Sequence, residues 1–250
     1  RAPPRPPRPR RGPPSRAATA TAPPPLPGRD GSWFDTLQLA RECPEPALSF
    51  DYSLWGALVP RCLARARGEP HAAVREELFA LYAGKQGTLD WYCLDYWTRT
   101  LGLDLTALKH ASSQRIRFLP GAREFLQAAA GSGKRLVLVT NAHGVTLDIK
   151  RGVAGLDRYF QACISSHDYG HAKEHSAFWP LLRATLDFDP ARTLFVDDSQ
   201  PVLETAVAFG IRHVIAVRRP DTRQPATETD AHDAVDGLHQ LLDAQASAGV

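Results

Sequence analysis

Along the second half of the chain, short apolar runs alternate with segments whose apolar positions recur every three or four residues. Arg135–Thr140, Phe160–Ser165, Thr193–Val196 and His213–Val217 read as strands, because a strand buried on both faces is a continuous apolar run. Helices are predicted from Pro120-Gly121 to about Ala130, from about Val145, over Ser176–Thr185 and over Leu203–Phe209. A last helix is predicted over Ala234–Ala244. Gly131-Ser132-Gly133 and Gly210 supply helix ends. Strands alternating with helices predict an α/β fold, a Rossmann-like doubly wound parallel sheet covered on both faces.

The first half reads differently. Trp33–Leu39 is a short apolar segment that predicts strand one, and residues 40–49 are loop-like, with two prolines. From Phe50 to Ser113 no strand pattern occurs, and segments 54–67, 70–83 and 88–101 carry helical spacing. An α-helical cap inserted after strand 1, over the carboxyl edge of the sheet, is the expected arrangement. The chain then divides into a tail (1–30), an α/β core (31–49 and 114–250) and a helical cap (50–113).

Charge changes the picture only once the tail is separated. Residues 1–30 hold seven arginines and one acid (Asp30), a net +6, which leaves −3 for the other 220 residues of a chain at +3. The folded part therefore offers no basic surface for nucleic acid. The tail to about Gly28 holds 11 of the 21 prolines and is expected to be disordered or polyproline-like, without the apolar segment of a secretory signal. No apolar run approaches the roughly 20 residues of a membrane span. Four scattered cysteines (Cys43, Cys62, Cys93, Cys163) read as reduced thiols of a cytoplasmic protein.

Three predicted strand ends carry polar groups. Thr193–Val196 runs into Asp197, Asp198 and Ser199. Ligands sit beyond the carboxyl ends of such strands, and two adjacent acids there suit a cation, although Asp198-Ser199 also reads as a helix cap. Thr140 and Asn141 end the strand at 135–140 and could hold phosphate or cap the next helix. Lys173, one of only five lysines, follows a Gly-containing turn before a helix, where an ammonium would balance phosphate charge and a crowded carboxylate.

These segments resemble the haloacid dehalogenase-like hydrolase superfamily, in which a strand ending in Thr or Ser, a Lys before a helix, and a strand ending in Asp-Asp follow in that order. Within it, Thr88–Trp97, Val139–His143, Tyr169–Glu174 and Thr193–Ser199 resemble the bacterial GMP/IMP nucleotidases, over about Trp33 to Leu242. The resemblance implies a Mg²⁺-dependent phosphomonoesterase with a helical cap on a haloacid dehalogenase-like core. Its partner would be a small phosphate monoester, a purine nucleotide, with no nucleic acid and no membrane. It implies that Thr140 with Asn141 holds phosphate, that Lys173 balances charge, and that Asp198, assisted by Asp197, holds Mg²⁺. Thr140 and Lys173 are the catalytic positions it carries over.

The family's chemistry starts with Asp-x-Asp-Gly-Thr after strand one, a nucleophile and a general acid/base. A gapless register anchored on Asp35-Thr36 and Phe50-Asp51 puts Ala40, Arg41, Glu42, Cys43 and Pro44 there. A second register makes Asp30 the acid but puts Gly28 at the nucleophile position, after a proline run that cannot form a central strand. Neither supplies the nucleophile, so the alternative is a catalytically impaired relative that binds phosphate or a protein partner.

Other residues carry weaker signals. His167, His171 and His175 recur every four residues, a helical metal spacing that Gly170 interrupts. His143 could reach the crevice. Trp91, Tyr92, Tyr96 and Trp97 crowd one cap helix; Tyr92 and Tyr96 are expected on one face, where a purine could stack, while core packing is the competing reading.

Overall fold

Successive apolar residues of a strand point to opposite faces of a sheet, and here both faces are covered. In a computed structural model, which describes residues 36–39, 54–219, 226–229 and 231–241, the strands are β1 (Thr36–Leu39), β2 (Arg135–Thr140), β3 (Ala162–Ser165), β4 (Thr193–Asp197), β5 (His213–Val217) and β6 (Asp233–Val235). They form one sheet in the order β3-β2-β1-β4-β5-β6, with every neighbouring pair parallel. Chain direction reverses its spread across the sheet at the β1–β4 junction, the place where α/β sheets open a crevice beyond their carboxyl ends. Leu39 pairs with Leu138 of β2 and Val196 of β4, so β1 lies between the two strands that end in Thr140 and Asp197.

Alternation sorts the core into two layers. Leu136, Leu138, Leu194, Val196, Ile215 and Val217 pack on one face with Phe125 and Leu126 of α6 (Ala122–Gly131) and Leu147 of α7 (Gly144–Ala154). Val137, Val139, Phe195, Val214 and Ala216 pack on the other. There they meet Phe178, Trp179 and Leu182 of α8 (Phe178–Leu186), and Val202, Leu203 and Ala206 of α9 (Gln200–Phe209). This is the doubly wound sheet the sequence pattern implied.

The segment between β1 and α6 is helical: α1 (Val59–Arg67) after a π-type turn at Leu54–Leu58, α2 (His71–Ala83), α3 (Leu89–Tyr92), α4 (Leu94–Leu101) and α5 (Leu105–Ser112). It has its own core around Trp97, whose ring meets Trp55, Tyr82 and Tyr96 edge-on at 6.2, 5.0 and 5.0 Å. The Trp97 indole N–H, which burial would otherwise leave without water, donates to the Trp91 carbonyl at 3.0 Å.

Two elements depart from the sequence reading. The helix expected over 88–101 breaks at Cys93, which is extended (φ −86°, ψ 110°) and separates α3 from α4. The predicted helix at Ala234–Ala244 is corrected at its start: Ala234 lies in β6, where Val235 is buried against the first core layer. Residues from 242 onward, the tail, Trp33–Asp35 and the Ala40–Pro44 segment lie outside the described residues. No helix among the described residues is long and apolar enough to cross a membrane.

Candidate active site

The carboxyl end of β4 places Asp197 almost wholly out of solvent, at 1% exposure, and leaves Asp198 exposed. One Asp197 oxygen accepts the backbone N–H groups of Asp198 (2.7 Å) and Ser199 (2.8 Å), which starts the turn into α9. Ser199 is the N-cap residue of α9 but makes no side-chain capping bond, so the capping role considered for Asp198-Ser199 is not made by a side chain. Its other oxygen accepts from Lys173 Nζ at 2.8 Å. Lys173 is 5% exposed, so the ion pair is buried and each charge depends on the other.

Asn141, just past β2, ties this pair to its surroundings. Its Oδ1 accepts the Lys173 backbone N–H at 2.9 Å, and its Nδ2 donates to Glu174 Oε2 at 2.7 Å. The other Glu174 oxygen accepts from the Tyr92 hydroxyl at 2.6 Å, a contact from the helical insert to the sheet domain. Burial, reinforced by the Glu174 carboxylate, pushes the Tyr92 phenol up, so it remains the proton donor. Thr140 Oγ1 accepts the Ala142 N–H at 3.0 Å. The loop after β2 is fastened further by Ser165, whose hydroxyl donates to the Ala142 carbonyl at 2.6 Å. Behind Lys173, its carbonyl accepts from the Trp179 indole (3.1 Å) and the Thr205 hydroxyl (2.9 Å), which fixes the lysine's backbone.

Thr140, Asn141, Lys173, Asp197 and Asp198 therefore gather at neighbouring strand ends, with Tyr92 reaching them from the insert. The shared face expected for Tyr92 and Tyr96 is a correction: the extended Cys93 breaks their i,i+4 relationship, and the half-buried Tyr96 packs on Trp97 against the insert's core, with Lys85 Nζ 4.7 Å from its ring centre. Glu174 went unassigned in the sequence, although it directly follows Lys173. Its role depends on two partners that are distant along the chain, and no local pattern signals it. The His167, His171 and His175 spacing does not form one cluster. His171 and His175 stack at 4.7 Å, whereas His167 leaves them for His143, 5.1 Å between ring centres.

Among oxygen donors, the exposed Asp198 carboxylate suits a hard cation, while both Asp197 oxygens are already engaged. One carboxylate with water and a substrate phosphate is an ordinary Mg²⁺ arrangement, so the donor set fits that ion with Asp198 as its ligand.

The family model described as haloacid dehalogenase-like hydrolase matches residues 63–210. The chain belongs to that family. This haloacid dehalogenase-like chain is 33% identical over 208 residues to the GMP/IMP nucleotidase YrfG of Escherichia coli, across 83% of its own length and 94% of the relative's. Among solved structures, it is similar to a HAD phosphatase from Thermococcus onnurineus (TM-score 0.70, 17% identity, 86% of this chain and 98% of that one). It is also similar to the HAD-hydrolase YfnB of Bacillus subtilis, bound to magnesium (TM-score 0.57, 16% identity, 86% and 99%). Both structural likenesses speak to the fold.

Proposed function

We propose that this chain is a Mg²⁺-dependent phosphomonoester hydrolase of the cytoplasm, acting on purine nucleoside monophosphates such as GMP and IMP. The observation that carries the reading is the buried Lys173–Asp197 pair, joined through Asn141 to the end of β2. It fixes the Lys173 ammonium, balanced by Asp197, among strand ends at the sheet's switch point, where a bound phosphate would meet a preorganised cation. In this reading Thr140 and Asn141 seat the phosphate and Lys173 offsets its charge. Asp198, oriented by the turn that Asp197 anchors, holds Mg²⁺, which polarises the phosphoryl oxygens when bound. The segment 50–113 acts as the cap over a core of 31–49 and 114–250, with Tyr92 as its contact to the site. Support for the purine substrate comes from the relative's activity, and support for the ion comes from the magnesium-bound YfnB structure.

A second reading rests on the residues that follow β1. Strand one ends at Leu39, and the next positions are Ala40 and Glu42 rather than the family's two aspartates. Alanine cannot attack phosphorus, and phosphate monoesters need up to ~10²¹-fold acceleration. On this reading the site binds phosphate or a protein partner without turnover.

Phosphate release from GMP and IMP with Mg²⁺, measured on the full chain, tests the proposal. Turnover lost in Asp198→Asn supports hydrolysis. Nucleotide binding by calorimetry with no released phosphate overturns it in favour of the second reading.

A further inference from the structure

Beside the phosphate site, three side chains from separate segments converge. Cys93 sits at the break between α3 and α4, His143 immediately precedes α7, and His167 lies in the 3-10 turn Ser166–Tyr169 after β3. Their ligand atoms (the Cys93 sulfur and one ring nitrogen from each histidine) all lie within 4.8 Å of one another. We propose that Cys93, His143 and His167 form a site for a borderline-soft divalent cation of the Zn²⁺ class, spanning the seam between the helical insert and the sheet domain.

The imidazoles are set up as ligands. His143 Nδ1 and His167 Nε2 are both buried, and neither has a hydrogen-bond partner among the described residues. A buried ring nitrogen without a partner costs its hydration and gains nothing in return, unless something absent from the protein chain occupies it. The opposite edge of each ring is held. His143 Nε2 lies 3.6 Å from Asp95 Oδ2, the carboxylate–histidine arrangement that orients a metal ligand and raises its basicity. His167 is hydrogen-bonded to the Asn141 backbone. The rings stand edge to face, 5.1 Å apart at an interplanar angle of 81°.

The sulfur is also placed for the role. Cys93 Sγ accepts the Tyr96 N–H at 3.4 Å, a contact that the charge of a bound thiolate strengthens. One thiolate and two imidazoles favour Zn²⁺ over Mg²⁺, which prefers oxygen, so this site and the Asp198 carboxylate select different ions. Ligand atoms around tetrahedral zinc are about 3.5 Å apart, so the three groups need to close by roughly 1 Å. Three protein ligands leave a fourth position for water or another small donor. Because Cys93 belongs to the insert and both histidines to the sheet domain, a bound ion would pin one to the other. This site does not depend on the hydrolase reading, since none of its ligands is assigned to the phosphate.

The test is Co²⁺ titration of the metal-stripped full chain, with Mg²⁺ in excess. The expected result is one Co²⁺ per chain, with a sulfur-to-cobalt charge-transfer band and the intense ligand-field bands of four-coordinate cobalt, both removed by Zn²⁺. Cys93→Ser should lose the charge-transfer band, while Cys62→Ser and Cys163→Ser keep it. His167→Gln should weaken Zn²⁺ binding by at least ~10-fold in a competition assay, and so should Asp95→Asn if its carboxylate orients His143. Circular dichroism establishes that each variant is folded, and His167→Gln carries the test if Cys93→Ser is not. A folded wild-type chain without the charge-transfer band overturns the proposal. So does a band that survives Cys93→Ser, or Zn²⁺ affinity unchanged in folded His167→Gln.

Discussion

Lys173 Nζ meets Asp197 Oδ2 at 2.8 Å, with both side chains almost fully buried, while the next residue, Asp198, is exposed. Adjacent aspartates at the end of one strand therefore do different work. Removing one partner of a buried pair leaves an uncompensated charge, which costs about 3–5 kcal/mol. Lys173→Met and Asp197→Asn should each lower unfolding free energy by that order in urea titration. Asp198→Asn, at an exposed side chain, should cost less stability than either, yet raise the Mg²⁺ concentration needed for activity. Equal destabilisation by both Asp variants would refute the division of labour.

Tyr92→Phe deletes the hydroxyl that the insert offers to Glu174. Hydrogen bonds to charged groups contribute about 1.5–3 kcal/mol, and Glu174 retains its Asn141 partner. A stability loss near the low end of that range is expected, together with a higher KM for nucleotide, because the insert loses a tie to the site. Steady-state kinetics alongside thermal unfolding would check both effects.

Cys163 in β3 gives a pH signature. Burial raises its thiol from 9.0 to about 11, with nearby Arg151 opposing the shift and Asp157 adding to it. The folded state thus disfavours the thiolate. This contribution is complete below about pH 9, where the unfolded thiol also holds its proton, and it is lost as pH rises from about 9 to 11. Cys163→Ser should flatten that part of the stability profile. Iodoacetamide should modify Cys163 more slowly in the folded chain at pH 9 than in urea, as peptide mass mapping would report.

Ala40→Asp with Glu42→Asp supplies the carboxylate that position 40 lacks and shortens the one at position 42 to the family's aspartate. Loss of a covalent nucleophile costs on the order of 10⁶ in kcat in another enzyme class, so the double variant should gain several orders of magnitude in phosphate release. An unchanged rate would show that the missing aspartates are not what limits this chain.

Runs such as Arg135–Thr140 and His213–Val217 were legible from sequence to the residue, because strands buried on both faces admit no polar interruption. Thr140, Lys173 and the two aspartates were legible as strand-end or pre-helix polar groups, since topology alone brings such ends together. The break at Cys93 was not, because helical spacing continues unbroken across it and the residue that caps the new helix there is a cysteine, whose sulfur accepts the Tyr96 N–H, rather than a usual capping residue. β6 was missed because three residues are too few to show a period, and the residues that follow resume a helical pattern. Glu174 and the Cys93–His143–His167 cluster join positions far apart along the chain, which no window of sequence can pair.

Asn141 presents oxygen to the Lys173 backbone and nitrogen to Glu174, so its amide is legible in only one orientation. Hydrolysis of that amide to a carboxylate, the common chemical ageing of asparagine, would turn a donor into a second negative group facing Glu174. The junction would then repel where it now clasps, and the strain would fall on Tyr92 and the helical insert above it. Burial of the amide at the end of β2 keeps water and a flexible backbone away from that reaction. The same packing that aims the site thereby also shields this amide from that reaction.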